Sequence, residues 1–261
     1  MRCWTAGYKQ EARAFGANLV RMFKCMLGAF VCAFALTGCG SPEASTIAVQ
    51  EVTTPVLLRV GDQKGDKWSI AVNSMVEARG TGRMKLNMVL SSLCIGRTDE
   101  KVRYKITFPS VKASEGEGEL GAMGTQIEAI QGLEMEVVSD LRNNVLATYV
   151  DGQELPDDGT TDTSRLVFPD KPVKSGDTWE GELKSGEMEG KLLYTFRGKT
   201  THNGVEAYVI SGEFPSGQRL QGDPGFEYIM DAKRLQVLQM KGGFREGRAG
   251  RGEFNLNGGP N

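Results

Sequence analysis

Histidine is almost absent from this chain. Among 261 residues there is one, His202. A zinc site of the multi-histidine kind is therefore excluded. The single imidazole adjoins Asn203-Gly204, a hairpin-turn pair, so it is predicted to be a solvated turn residue rather than a catalytic base. No G-x-S-x-G nucleophile elbow occurs. Residues 116–121 match G-x-G-x-x-G, but Glu115, Glu117 and Glu119 would repel a pyrophosphate and no βαβ unit surrounds them, which predicts an acidic loop. Asp157, Asp158 and Asp162 lack the spacing of an EF-hand and are expected to be a solvated acidic stretch. A hydrolase would need carboxylates that converge in a cleft, and nothing in the sequence supports that. No catalysis, no cofactor and no metal are expected.

Excess positive charge is missing as well. Lys and Arg number 31 against 33 Asp and Glu, a net charge of −2. Nucleic acid is thus a poor partner, because neutralising phosphates takes a basic face. Long apolar runs are also scarce. The run at residues 26–36 has 11 members, which suits the core of an export signal and is too short to cross a bilayer as a helix.

What precedes and follows that run is informative. Arg21-Met22-Phe23-Lys24 is a basic lead-in, and a start at Met22 would make the signal compact. Leu36, Thr37, Gly38 and Cys39 come next. This tetrad resembles the lipobox of bacterial lipoproteins: an apolar residue, two small residues, then the cysteine. The resemblance implies that residues 1–38 are a signal peptide and that the Cys39 thiol receives diacylglycerol before cleavage. The new N-terminus is then acylated too, a palmitate-type modification. Two or more chains hold firmly, since each buried methylene contributes ~0.8 kcal/mol. Removing residues 1–38 takes away five basic residues and one acidic residue, so the mature net charge is −6. Such a domain does not adhere electrostatically to anionic lipid, and its membrane partner is the covalent lipid itself. Gly40, where inner-membrane lipoproteins tend to carry Asp, favours the outer membrane of a diderm cell envelope.

Cysteine is scarce in what remains. Of five cysteines, Cys3, Cys25 and Cys32 leave with the signal and Cys39 becomes a thioether. Cys94 is left without a partner for an intramolecular disulfide, so stability must come from the core. Its apolar setting, residues 89–95, predicts a buried inert thiol.

Residues 39–54 read as a lipidated N-terminus and flexible tether rich in Ser, Thr and Ala. Residues 55–261 are predicted to be a β domain. Apolar positions alternate with polar ones at Trp68, Ile70 and Val72; at Met84, Leu86, Met88 and Leu90; at Val102, Tyr104, Ile106 and Phe108; and at Leu133, Met135 and Val137. Turn signals at 79–82, 96–99, 142–144 and 203–204 separate strands. The 34 glycines interrupt longer helix candidates. At most one or two short helices fit, the best being 126–131, capped by Thr125 and stopped by Gly132.

A weak internal repeat is present. Gly65-Asp66-Lys67-Trp68 returns as Gly176-Asp177-Thr178-Trp179. In the same order, Gly82-Arg83-Met84, Phe108-Pro109 and Asp140 return as Gly186-Glu187-Met188, Phe214-Pro215 and Asp231. This predicts two similar halves, about 56–150 and 166–250, joined by an acidic linker at 151–164. The expected architecture is mainly β, with antiparallel sheets forming an open half-barrel or a sandwich. Trp68 and Trp179 are expected to anchor the core of each half.

The stretch from Phe168 to Trp179, after Gln131-Gly132-Leu133, Asp140 and Val145, resembles an uncharacterised family of secreted bacterial lipoproteins over residues 56–240. The strand pattern is similar to that of open-barrel lipoprotein carriers, which implies architecture and not function. Two functions follow as expectations. The first is a membrane-anchored, non-catalytic binding or structural module with a protein partner in the envelope. The alternative is a carrier or sensor of an apolar or lipid ligand. For the alternative, Met84, Met88, Met135 and Met188 are the candidate lining of an apolar groove, because flexible thioethers suit adaptable apolar surfaces.

Overall fold

The computed structural model describes residues 47–78, 82–114, 124, 127–155, 166–185, 188–215, 220–246 and 250–260. Its strands are β1 (Lys67–Ala78), β2 (Gly82–Arg97), β3 (Lys101–Ser114), β4 (Glu134–Asp140), β5 (Val145–Val150), β6 (Gln153–Glu154), β7 (Thr178–Ser185), β8 (Met188–His202), β9 (Val205–Glu213), β10 (Leu220–Asp231), β11 (Val237–Glu246) and β12 (Gly250–Pro260). All twelve belong to one antiparallel sheet in the order β6-β5-β4-β3-β2-β1-β12-β11-β10-β9-β8-β7. The chain is mainly β and its sheet is unclosed. Of the half-barrel and sandwich expected, one open sheet is what forms. Two meanders, β1–β6 and β7–β12, meet where β1 pairs with β12.

The alternation seen in the sequence sets the faces. Met84, Leu86 and Met88 are buried while Arg83 and Asn87 are exposed. Register then builds one apolar row across eight strands: Val111, Met88, Val72, Leu256, Met240, Tyr228, Ile210 and Phe196. Every member is buried except Leu256, which is half-buried. A one-residue slip would turn this row to solvent, so the core fixes the register.

The sheet must curl. β4 and β7 are nine positions apart in the strand order, which in a flat sheet is about 43 Å. Yet one short segment touches both. The Leu166 and Phe168 carbonyls accept from Asn143 Nδ2 (3.1 Å) and Arg142 Nε (2.8 Å) in the β4–β5 turn. Val167 between them accepts from Trp179 Nε1 of β7 at 2.8 Å. Only a strongly bent sheet brings these together, and the apolar row lies on the inside of the bend. Residues from β4 and β5 accordingly share one core with residues from β8.

The leading segment seals this core. Gln50 exchanges backbone bonds with Lys199, Val56 with Val173, and Val60 N–H donates to the Leu141 carbonyl at 2.8 Å. Leu58, Val60 and Asp62 alternate inward along it, and all three are buried.

The turn at Gly65-Asp66 is built like the one at Gly176-Asp177. In each, the aspartate carboxylate accepts the N–H three residues before it, from Gln63 at 2.8 Å and Lys174 at 2.9 Å. Gly65 and Gly176 both have positive φ, 98° and 91°. Asp140 and Asp231 likewise accept two backbone N–H groups each, from Arg142 and Asn144 and from Lys233 and Arg234.

Two expectations are adjusted. The stretch at 151–164 does not begin as a linker. Asp151 and Gly152 (φ 50° and 74°) form a hairpin turn that adds β6 to β5; the rest of it lies outside the described residues. The helix expected at 126–131 amounts to a helical turn at 127–128 followed by tight turns, with Gly132 at φ 80°. Thr125 and Gln126 lie outside the described residues. The Asn203-Gly204 hairpin forms as expected, with φ 50° and 81°. A Cβ at Gly204 meets open space, so Gly204→Ala isolates backbone strain. It is expected to lower stability by about 1 kcal/mol, read by urea unfolding.

Candidate functional site

Three places in the bent sheet concentrate polar or aromatic groups. The first is inside. Asp62 is 3% exposed. Its carboxylate accepts from the Tyr104 hydroxyl at 2.6 Å and from Gln236 Nε2. Tyr104 comes from β3, Gln236 from the β10–β11 turn, and Asp62 from the leading segment. The cluster therefore ties three parts of the chain together. Burial pushes the Asp62 carboxyl above its ordinary value, opposed by the two donors. Burial, with Asp62 nearby, pushes the Tyr104 phenol far up as well. Arg97 donates to the Val60 and Asp62 carbonyls at 2.9 Å. These groups are fully occupied with one another, which suits a structural clasp better than a site awaiting substrate.

The second is an aromatic band on the inner face of β7–β11. Gly242, Phe226, Gly212, Tyr194 and Trp179 are successive Cα partners across the strands. The rings lie over the glycines: a Cβ at Gly242 would sit 2.5 Å from Phe226 Cδ1, and one at Gly212 3.0 Å from Tyr194 Cε1. Trp179 and Tyr194 have centroids 5.6 Å apart, and Tyr194 stands edge-on to Tyr228 at 6.3 Å. Burial raises both tyrosine hydroxyls above their ordinary range. Phe226 and Trp179 are only partly buried, so this band reaches the rim of the core.

The third is a polar groove of about 720 Å³ lined by Asn87, Val111, Lys112, Ala113, Ser114, Glu128 and Gln131. It follows β3 beyond Thr107, where pairing with β4 ends. There the side chains of Glu128 and Gln131 accept the Ala113 and Val111 N–H groups, at 2.9 and 3.5 Å. Side chains thus occupy a strand edge that no strand covers among the described residues. A second groove, about 690 Å³, runs along Arg142, residues 169–173 and residues 176–180.

The residues singled out from the sequence are not gathered into one place. Met84, Met88 and Met135 are buried within the main core, and none of them lines either groove. Met188 opens β8, paired with Ser185. Cys39 and the tetrad residues Leu36, Thr37 and Gly38 lie outside the described residues, as do the acidic loop at 116–121 and Asp157, Asp158 and Asp162. Cys94 is buried, its thiol raised by burial, and it is the free cysteine among the described residues. His202 ends β8 at the hairpin turn. Trp68 anchors a smaller cluster with Ala207, Ile229 and Leu238, while Trp179 packs on the main one. Among the described residues no group of three or more His, Cys, Asp and Glu is placed to hold a metal ion, and no helix is long and apolar enough to cross a membrane. The Asp62 cluster was invisible in sequence, because its members are separated by 42 and 132 positions.

No family model matches the chain, and no curated protein does. Two solved structures are similar to it. One is a DUF1329 family protein from Desulfovibrio piger, with TM-score 0.30, 12% identity, and coverage of 76% of this chain and 85% of that one. The other is a putative outer membrane lipoprotein-sorting protein domain from Vibrio parahaemolyticus, with TM-score 0.30, 8% identity, and coverage of 76% and 86%.

Proposed function

We propose that this chain is a lipid-anchored protein of the bacterial cell envelope, whose β domain is a non-catalytic binding or structural module. The observation that carries the reading is the register of basic lead-in, 11-residue apolar run, Leu36-Thr37-Gly38 and Cys39. The domain architecture fits it. The first backbone pairing of the leading segment is at Gln50. A tether from Cys39 to that point reaches at most about 35–40 Å when extended. The domain would stay close to the membrane that holds the lipid.

The test is metabolic labelling of the full chain with a palmitate analogue in a diderm bacterial host. Wild type is expected to incorporate label and to sediment with membranes. Cys39→Ser is expected to do neither, while still folding. Label that persists in Cys39→Ser, or wild type that is exported unlabelled, would overturn the reading.

The carrier alternative has one favourable observation, the aromatic band that reaches the rim of the bent sheet through Phe226 and Trp179. It predicts that an acyl-chain species copurifies with the protein at stoichiometric level. A clean apo mass after incubation with envelope lipids would leave the module reading alone.

A further inference from the structure

The outer face of the sheet breaks a local rule. Asparagine is disfavoured in strands, because its short amide competes for backbone bonds and packs poorly on a pleat. Yet Asn73 in β1, Asn87 in β2, and Asn255 and Asn257 in β12 lie well inside their strands, and all four are exposed. They are contiguous. Asn73 is opposite both Asn87 and Asn255, and Asn257 is opposite Gln239 of β11. Gln239 Nε2 donates to Asn257 Oδ1 at 3.2 Å, and Asn257 Nδ2 to Asn255 Oδ1 at 3.4 Å. Ser69 and Ser91 share a hydrogen bond of 2.8 Å on the same face. The result is a lattice of five carboxamides at the centre of the sheet, spaced about 5 Å across strands and about 7 Å along them. At Asn87 it runs into the polar groove beside β3.

Solubility does not explain the choice, since Lys, Glu and Thr keep an outer face wet without opposing the strand. Positions where a sequence breaks a local preference without a packing gain mark function. The chemistry of the lattice narrows the partner. Each carboxamide offers both donors and an acceptor, the same pairing capacity that a sugar hydroxyl or acetamido group presents. The lattice members carry no charge; Lys112 and Lys241 stand opposite Asn87 and Asn255, and Lys85 and Glu253 lie two residues along the same strands, a border of mixed sign. An anionic polymer or lipid headgroup would need more. The lattice also lacks the aromatic anchors that dominate protein interfaces.

We infer that the carboxamide lattice of Asn73, Asn87, Asn255, Asn257 and Gln239, with the groove it enters, is a docking surface for a neutral glycan chain. The inference deepens the envelope reading by naming a partner class, and it is measured independently of acylation. The probes are insoluble chitin and cross-linked dextran, mixed with the detergent-solubilised full protein. Wild type is expected to be retained on at least one of them. Retention is expected to persist from about 0.05 M to about 0.5 M NaCl, because uncharged hydrogen bonds are not screened. The triple variant Asn73→Thr, Asn87→Thr, Asn255→Thr gives each strand a favoured residue, so it should fold at least as well while retention falls about tenfold or more. No retention of wild type, retention unchanged in a folded triple variant, or retention abolished by salt would overturn the inference. None of these results bears on whether Cys39 carries lipid.

Discussion

Phe168→Ala is expected to destabilise the domain by about 3–5 kcal/mol, a large part of the margin of a typical fold. Phe168 has no exposed surface, although it belongs to no strand. Its N–H donates to the Arg142 carbonyl at 2.9 Å and its carbonyl accepts from Arg142 Nε at 2.8 Å. The ring is thereby pinned where the β4–β5 turn approaches β7. Truncation would remove the apolar contact that stitches the two ends of the bent sheet, and the rigid backbone pairing on either side leaves little room for collapse. Urea unfolding measures the loss. The exposed Leu146, also apolar but on the surface, provides the contrast: Leu146→Ala should stay within about 0.5 kcal/mol. Equal effects at the two sites would contradict the seam's role.

How much of this was legible follows from range. The alternation at Met84, Leu86 and Met88 is a contact between each residue and its own strand, so period 2 revealed it and the faces came out as expected. The Asn203-Gly204 turn is equally local. Asp151-Gly152 carries the same kind of signal, but the acidic residues that follow obscure it, so that in the sequence β6 reads as part of a linker. The bend was not legible, because nothing in a strand's own pattern says that β4 will approach β7 nine positions away. The methionines illustrate the same limit. Thioethers suit a groove and a packed core alike, and only the segments laid over the bend by residues 50–60 and 166–173 place Met84, Met88 and Met135 in a core. The Asp62 cluster lay furthest from view, since its partners meet only after both meanders have formed.

That cluster sets the second large effect. Tyr104→Phe removes the hydroxyl that donates to Asp62 at 2.6 Å and leaves a buried carboxylate with Gln236 as its remaining side-chain donor. A hydrogen bond to a charged buried group contributes about 1.5–3 kcal/mol, so a loss of about 2–3 kcal/mol is expected at pH 7. The pH dependence gives the assignment a signature. Burial raises the Asp62 carboxyl above its ordinary value, and Asp66 adds to this, while Tyr104, Gln236 and Arg234 oppose it. A carboxyl raised on folding binds its proton more tightly in the folded chain than in the unfolded one. Its contribution to stability is therefore complete below the ordinary carboxylate value and is lost as pH rises through the raised value. Wild type should lose stability relative to Asp62→Asn over that window and then run parallel to it. Tyr104→Phe removes a group that holds the carboxyl down, so it should shift the window to higher pH and cost less in acid, where Asp62 is protonated, than at neutrality. Chemical denaturation at pH 4, 5.5 and 7 on these three proteins and on the double variant Asp62→Asn, Tyr104→Phe separates these outcomes. A Tyr104→Phe penalty that is the same at all three pH values, or that survives in the Asp62→Asn background, would show that the hydroxyl matters for packing and not for the carboxylate.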